Sequence, residues 1–128
     1  MKRILLIEDE ETDRIPLARM LSSAGFEVVA ATDGKKGMAL FEQQVIDLVI
    51  TDLIMPTQDG IETIMALRSL KRNCKIIAVS GGGRMLDTGF LERIILRLGV
   101  KHFLEKPVNE AQILAAVADM LDSAERPS

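Results

Sequence analysis

The sequence predicts an α/β protein built on a single doubly wound sheet of five parallel strands, with five helices covering both faces. Short apolar runs alternate five times with longer amphipathic segments, which is the pattern of consecutive strand–helix units. The strand-length runs are apolar at successive positions, as expected for strands buried on both faces of a parallel sheet. The length of 128 residues fits one such domain.

The first half of the chain contains two strand–helix units and a third strand. Gly25 ends the first helical pattern, and Thr12 or Asp13 is expected to cap its start. Asp33 and Gly34 predict a turn before the second helix. The predicted elements are a strand at 4–7, a helix ending at 24, a strand at 26–31, a helix at 37–44 and a strand from 48 that ends at 51–52.

The second half continues the alternation. Gly60 opens the third helix, Gly99 ends the fourth, and Asn109 after Pro107 is expected to cap the fifth. The predicted elements are a helix at 60–70, a strand at 75–79, a helix at 88–98, a strand at 100–104 and a helix ending near 123. We expect residues 1–123 to form the domain and residues 124–128 to be a tail or the start of a linker. The sequence does not decide between a stand-alone domain and a piece of a longer protein.

Composition argues against several classes of function. The formal charge of −3 disfavours direct binding of nucleic acid, which needs a dense basic surface. The apolar run at 4–7 is too short for a signal peptide or a membrane span. The single cysteine, Cys74, excludes an internal disulfide and suits a reducing compartment. We therefore expect a soluble, cytoplasmic protein with no membrane contact.

Polar residues stand at the ends of four of the five predicted strands. Glu8 and Asp9 follow the first strand, Asp52 the third, Ser80 the fourth and Lys106 the fifth. The carboxyl ends of parallel strands share one edge of the sheet, where such sheets bind ligands, so we expect these side chains to meet. Carboxylates suit Mg²⁺, an aspartate can act as a nucleophile, and a hydroxyl and an ammonium can bind phosphoryl oxygens. The set suits formation of an aspartyl phosphate.

Each of these residues has an ordinary structural interpretation when it is taken alone. Acidic residues after a strand often form the solvated first turn of a helix, and an aspartate before a loop is commonly a turn residue. A serine before glycines or a lysine before a proline is usually a loop or surface residue. The functional interpretation depends on their shared position at the strand ends.

The strand ends resemble the motifs of the receiver domain of two-component response regulators, over about residues 2–122. Four ordered segments carry the resemblance: an acidic-pair strand at 4–10, a phosphoacceptor segment at 48–60, a switch-hydroxyl strand at 76–80 and a lysine strand at 103–107. The phosphoacceptor segment is the most specific of the four. The resemblance implies a flavodoxin-like sheet with strand order 2-1-3-4-5 and a signalling function switched by phosphorylation.

The resemblance also implies a Mg²⁺ site beside the phosphoacceptor. Asp52 would accept the phosphoryl group and contact the metal. Asp9 would be the direct ligand of the acidic pair, and Glu8, which replaces the commoner aspartate, would act through a water. The backbone carbonyl of Ile54 would be a further ligand.

The remaining implied roles belong to the switch. Ser80 would bind the phosphoryl group after transfer, and Lys106 would pair with Asp52 or with the phosphoryl oxygens. The peptide between Lys106 and Pro107 would be cis. Phe103 would be the aromatic switch residue, which the family buries when the hydroxyl moves inward, although an ordinary core role also fits it.

A run of glycines and a histidine lie beside these motifs. The run of glycines at 81–83 gives the chain unusual backbone freedom beside the phosphoacceptor. We expect this run to become ordered on phosphorylation, with its N–H groups facing the anion. His102 is interpreted as a surface residue.

The implied partners are a sensor histidine kinase or a histidine phosphotransfer protein, together with an unidentified downstream protein or output domain. The implied signalling surface consists of helix four, strand five and helix five, and it could also form a homodimer. Apolar residues between 86 and 98 cover more than one helix face. A helix with a buried inner side and scattered outer apolar residues would explain this pattern equally well.

Three other functions fit less well. A Mg²⁺-dependent phosphatase that used Asp52 as its nucleophile would want a second aspartate at position 54, where Ile54 stands. A flavodoxin-like cofactor binder would want a phosphate-binding loop at 8–11, where four acidic residues stand. A degenerate receiver that only bound partners would not need its acidic pair, hydroxyl and lysine. We expect a protein that catalyses only its own phosphorylation and dephosphorylation.

We predict slow loss of the phosphoryl group. In the family that the chain resembles, the positions two after the phosphoacceptor and two after the switch hydroxyl influence the hydrolytic water, and here they are Ile54 and Gly82. Neither side chain can orient a water, so Ile54→Asn should shorten the half-life of the phosphorylated protein severalfold. Ile54→Ala is the matched control, and intact-mass decay curves measure both. A half-life shortened by alanine and not by asparagine would contradict the argument.

Overall fold

Strands and helices alternate along the whole of the chain that the computed structural model describes, which is residues 1–53, 60–71, 73–81 and 88–123. The elements are β1 (Arg3–Ile7), α1 (Glu11–Ser23), β2 (Glu27–Ala31), α2 (Gly34–Gln43), β3 (Leu48–Asp52), α3 (Gly60–Leu70), β4 (Ile76–Ser80), α4 (Thr88–Arg97), β5 (His102–Glu105) and α5 (Glu110–Ser123). Within these residues, no helix has the length and apolar character to cross a bilayer.

The five strands form one parallel sheet in the order β2-β1-β3-β4-β5, which confirms the predicted fold class. Strand β3 lies between β1 and β4. Thr51 pairs with Ile7 on one side, and Asp52 pairs with Val79 on the other. This register sets the carboxyl ends of the three central strands level with one another, so residues that follow them share one edge.

Helices cover the sheet in two layers, each with its own core. Helices α1 and α5 pack on one face, whose buried residues include Ile4, Leu6 and Ile50 of the strands. Helices α2, α3 and α4 pack on the other face, against Leu5 and Val49 among others. Side chains alternate between the two faces along each strand. The same alternation therefore predicts on which face of the sheet a residue that directly follows a strand lies.

Two helix starts differ from the prediction. Helix α1 begins at Glu11, so the predicted caps Thr12 and Asp13 lie inside its first turn and the prediction was wrong. Glu10 is the residue before the helix, and its carbonyl accepts the N–H groups of Asp13 and Arg14 at 3.0 and 2.8 Å. A main-chain carbonyl thus closes the first turn without a capping side chain.

Helix α2 begins at Gly34, three residues before its predicted start. Asp33 and Gly34 were predicted to form a turn before the helix. Asp33 is instead the helix cap, because its Oδ1 accepts the N–H of Lys36 at 2.8 Å. The cap predicted for α5 is confirmed, since Asn109 Oδ1 accepts the N–H of Gln112 at 2.7 Å. Of the capping residues predicted from the sequence, Asn109 is therefore right, whereas Thr12 and Asp13 are wrong.

Strand β5 begins at His102, two residues later than predicted. Gly99 ends α4 with a φ of +85°, as predicted for a glycine in that place. The N–H of Val100 then donates to the carbonyl of Ile95 at 3.0 Å, and the Val100 side chain is buried in the core. Val100 thus lies in the turn that follows α4, and its apolar side chain packs in the core there.

Arg68 of α3 binds the connection between α4 and β5. Its Nε and Nη2 donate to the carbonyls of Leu98 and Gly99, both at 3.0 Å. Its Nη1 donates to the carbonyl of Cys74 at 2.6 Å. One guanidinium thereby satisfies three main-chain acceptors from two connections at the amino end of the sheet, opposite the strand ends that carry the acidic residues.

Gly60 allows α3 to begin directly against the end of β3. Its N–H donates to the carbonyl of Leu53 at 2.9 Å, and a Cβ on Gly60 would overlap the main chain of Asp52 and Leu53. No other residue fits without displacing the backbone that carries Asp52.

We predict that Gly60→Ala lowers the free energy of unfolding by about 2 kcal/mol or more, because the added methyl group meets main chain that cannot move aside. Gly81→Ala is the matched control, since a Cβ there would meet no described atom within 4 Å, and it should change stability by less than about 0.5 kcal/mol. Urea unfolding measures both. Equal effects of the two substitutions would contradict the packing argument.

Candidate functional site

The predicted site residues meet at the carboxyl edge of the sheet. Glu8 and Asp9 follow β1, Asp52 ends β3 and Lys106 follows β5. Glu8, Asp52 and Lys106 each continue the alternation of residues that point to the α1–α5 face of their strands. Sheet register and strand alternation together explain why residues up to 98 positions apart come into contact.

Three carboxylates form a compact cluster. Glu8, Asp9 and Asp52 each place one carboxylate oxygen within 4.8 Å of the others. Glu8 and Asp52 are only 2% and 4% exposed, and Asp9 Oδ1 is buried with no hydrogen-bond partner among the described residues. A buried carboxylate oxygen normally has a partner. The oxygens thus fit a hard divalent cation such as Mg²⁺, which prefers oxygen ligands.

Lys106 binds the cluster from the side of β5. Its Nζ donates to Asp52 Oδ2 at 2.9 Å and to Asp13 Oδ2 at 3.0 Å, and it contacts Glu8 Oε1. Burial alone would lower the pKa of the ammonium, but the hydrogen bonds to Glu8 and Asp52 outweigh it and hold that pKa above its ordinary value. The lysine stays charged and offsets part of the repulsion among the carboxylates.

Asp13 was not predicted at this site. A signal for it exists in the sequence, because Asp13, Leu17 and Leu21 are spaced four residues apart and share one face of α1. Leu17 and Leu21 are buried against the sheet, so Asp13 lies on the same inward face one turn nearer the strand ends. An acidic residue on a buried helix face indicates a polar partner inside.

Glu8 is a buried carboxylate whose pKa is raised by its surroundings. Burial, and to a smaller extent the nearby charge of Asp52, raises its pKa to about 7. The hydrogen bonds from Lys106 and from the N–H of Glu10, at 3.0 Å to Oε2, act in the opposite direction. A divalent cation at the cluster would favour the charged carboxylate and reverse this effect.

Arg14 holds the connection that carries the acidic pair, and it was also missed. Its Nη1 donates to the carbonyls of Glu8 and Asp9 at 3.1 and 3.4 Å. The first turn of a helix disfavours a cation, so an arginine there is a signal of a specific partner. The interaction fixes the main chain on which both acidic side chains are mounted.

Ser80 and Phe103 lie on the opposite face of the sheet. The Ser80 side chain is fully buried, and its Oγ has no hydrogen-bond partner among the described residues. Phe103 is half-buried and packs against the core under α2, α3 and α4. Both features suit their implied roles in a switch, but the structure places neither in the Lys106 network.

His102 is paired, in contrast to the simple surface position expected for it. Its side chain is 27% exposed, and Nε2 lies 2.8 Å from Asp119 Oδ2 of α5. The pair joins β5 to α5.

The peptide between Lys106 and Pro107 is cis, as the resemblance implied. The implied ligand Ile54, Gly82 and most of the glycine run at 81–83 lie outside the described residues.

A cavity of about 230 Å³ opens beside Lys106, between α1 and the connection that follows β5. Its walls include Glu8 and Asp13, together with the apolar residues Pro16, Leu17, Met20, Val79, Pro107 and Val108. Asp13 and Lys106 thus border the same cavity, and the Asp13 side chain is 42% exposed.

The chain is similar to known signalling proteins. A profile of the family described as response regulator receiver domain matches residues 4–118. The transcriptional regulatory protein CpxR of Escherichia coli K12 is 32% identical over 122 residues, which are 94% of this chain and 50% of that protein. The probable transcriptional regulator ycf27 of Cyanophora paradoxa is 32% identical over 99% of this chain and 51% of its own. The chain spans about half the length of these curated relatives.

Solved structures share the fold. A CheY-like response regulator receiver domain protein from Methanospirillum hungatei superposes with a TM-score of 0.88 at 26% identity, over 98% of this chain and 97% of that one. The response regulator TrrA from Thermotoga maritima, solved in complex with Mg²⁺ and BeF, superposes with a TM-score of 0.82 at 27% identity, over 94% and 100% of the two chains.

We predict that Glu8→Gln changes how stability depends on pH. Without divalent cations, folding raises the pKa of Glu8 from 4.5 to about 7, so the folded chain holds this proton more tightly than the unfolded chain does. The free energy of unfolding of the wild type should therefore fall, relative to the variant, by about 2 kcal/mol as the pH rises from about 5 to about 8. Urea unfolding in EDTA measures it, and parallel pH curves for the two proteins would refute it.

Proposed function

Because the chain belongs to the response regulator receiver domain family of two-component signalling, as its motifs predicted, we propose that it is a receiver switched by phosphorylation of Asp52. The donor is a sensor histidine kinase or a histidine phosphotransfer protein. The observation that carries the proposal is the burial of Asp52 at the end of β3 in contact with Lys106 and within the carboxylate cluster.

In the proposed reaction, a carboxylate oxygen of Asp52 forms a bond to phosphorus while the bond from phosphorus to the donor breaks. The electron pair of the broken bond stays on the imidazole of a phosphohistidine, or leaves with acetate when the donor is acetyl phosphate. Lys106 holds Asp52 Oδ2, which orients the carboxylate for attack, and its charge offsets negative charge on the phosphoryl oxygens.

The residues that would hold Mg²⁺ are Glu8, Asp9 and Asp52, with Asp9 as the direct ligand of the acidic pair and Glu8 acting through a water. The support is the spacing of their oxygens and the unpartnered, buried Oδ1 of Asp9. When bound, the ion would neutralise charge on the transferring phosphoryl group. The similar protein TrrA was solved with Mg²⁺ and BeF. Ile54 is proposed to add its carbonyl.

The proposed switch moves from Asp52 to the surface of α4, β5 and α5. Ser80 binds the phosphoryl group through the Oγ that is buried without a described partner, and Phe103 follows it inward. Phe90 and Leu96 are large apolar residues exposed on α4. We propose this surface as the contact for the downstream protein or output domain, or for a second copy of the chain.

Two further parts of the proposal concern the reaction and its location. The chain promotes only the gain and loss of its own phosphoryl group, because the site is built around one carboxylate that becomes the product. We place the protein in the cytoplasm, where a free and buried thiol such as that of Cys74 stays reduced.

Incubation with acetyl phosphate and Mg²⁺ is expected to add one phosphoryl group to the wild type and none to Asp52→Asn, which keeps the shape of the residue but not the nucleophile. Intact-mass spectrometry measures both. EDTA should abolish the gain in mass.

Asp122→Asn is the matched control, because Asp122 is an exposed aspartate of α5. It should be phosphorylated like the wild type. Modification of Asp52→Asn, or none of the wild type, would overturn the assignment of Asp52.

A further inference from the structure

Lys106 has one carboxylate partner that the phosphorylation chemistry does not use. Glu8 and Asp52 belong to the carboxylate cluster, but Asp13 stands outside it, on the first turn of α1. Its Oδ2 is 3.0 Å from Nζ, almost the same distance as that of Asp52 at 2.9 Å. The contact joins two residues 93 positions apart, and it needs a functional or structural reason.

The number of donors on the ammonium makes this third contact important. A lysine ammonium has three N–H donors and no acceptor. In this structure it contacts Glu8, Asp13 and Asp52, so each donor has a carboxylate. A phosphoryl oxygen on Asp52 can be bound by Lys106 only if one of these carboxylates gives up its place.

The three carboxylates differ in how readily they can leave. Glu8 is 2% exposed, and its second oxygen is held by the N–H of Glu10. Asp52 carries the phosphoryl group itself. The Asp13 side chain is 42% exposed and borders the cavity beside Lys106, so water can replace the ammonium around it. A charge that water can solvate is much less costly to unpair than a buried one.

We propose that Asp13 is a positioning residue for Lys106, which it holds in the unphosphorylated chain and releases to a phosphoryl oxygen on Asp52. The inference rests on the proposed function, since the exchange has no purpose without a phosphoryl group. Asp13 competes with that group for the same N–H donor. It therefore keeps the lysine in place between signals and opposes phosphorylation.

The test is the rate at which acetyl phosphate modifies the chain, followed by intact-mass spectrometry at a fixed Mg²⁺ concentration. Asp13→Asn removes the charge and keeps the shape, and it should raise the second-order rate constant by roughly twofold to fivefold, the equivalent of one partly exposed ion pair. Asp13→Glu restores the charge and should return the rate to near the wild-type value.

Glu11→Gln is the matched control. Glu11 is exposed in the same turn of α1, so this variant changes the net charge and the helix terminus in the same way while leaving the partners of Lys106 intact. It should leave the rate constant near that of the wild type. Circular dichroism establishes that each variant is folded.

The outcomes separate this inference from the proposed function. Phosphorylation of the wild type with an equal or lower rate in Asp13→Asn overturns the role of Asp13 and leaves Asp52 as acceptor. An equal increase in Asp13→Asn and Glu11→Gln attributes the effect to net charge and also overturns it. A wild-type chain that takes up no phosphoryl group overturns both.

Discussion

A single buried ammonium compensates carboxylates that would otherwise repel one another. Lys106 reaches from the end of β5 to residues after β1, at the end of β3 and on α1. Buried carboxylates without a cation would be costly, and one of them would have to take up a proton. Glu8 is already close to that limit, with its pKa at about 7. The site can therefore form, but the single charge of Lys106 offsets only part of the negative charge of the carboxylates.

The sheet makes this arrangement possible because its strands set the direction of the side chains at their ends. Glu8, Asp52 and Lys106 each extend a buried strand in its own alternation, so the rigid core sets the direction of each side chain. Arg14 fixes the carbonyls of the acidic pair, and Gly60 lets α3 begin against the end of β3. Interactions of the scaffold thus limit how far the carboxylates can move apart.

The sequence pattern predicted the parallel sheet and the residues of the cluster, because both depend on local pattern and on the residues at the strand ends, whereas the strand order was implied by the family resemblance. It did not reveal Asp13, since that contact requires the distance between α1 and the tip of a lysine 93 positions away. The four-residue spacing of Asp13, Leu17 and Leu21 did indicate that the Asp13 side chain lies on the helix face that packs against the sheet. The start of β5 was misplaced because Val100 is apolar, and apolar residues look alike in a strand and at the buried end of a helix.

The pairing of Arg68 at the far end of the sheet constrains how α4 can respond to events at the strand ends. Its guanidinium ties the carbonyls of Leu98 and Gly99, just after α4, to that of Cys74. A displacement of α4 that preserves these hydrogen bonds is a rotation about its carboxyl-terminal end. In such a lever the fulcrum lies at Gly99 and the travel is largest near Thr88, where the helix starts. A shift that began near Ser80 would then displace the amino-terminal half of the helix, where Phe90 is exposed, more than its carboxyl-terminal end.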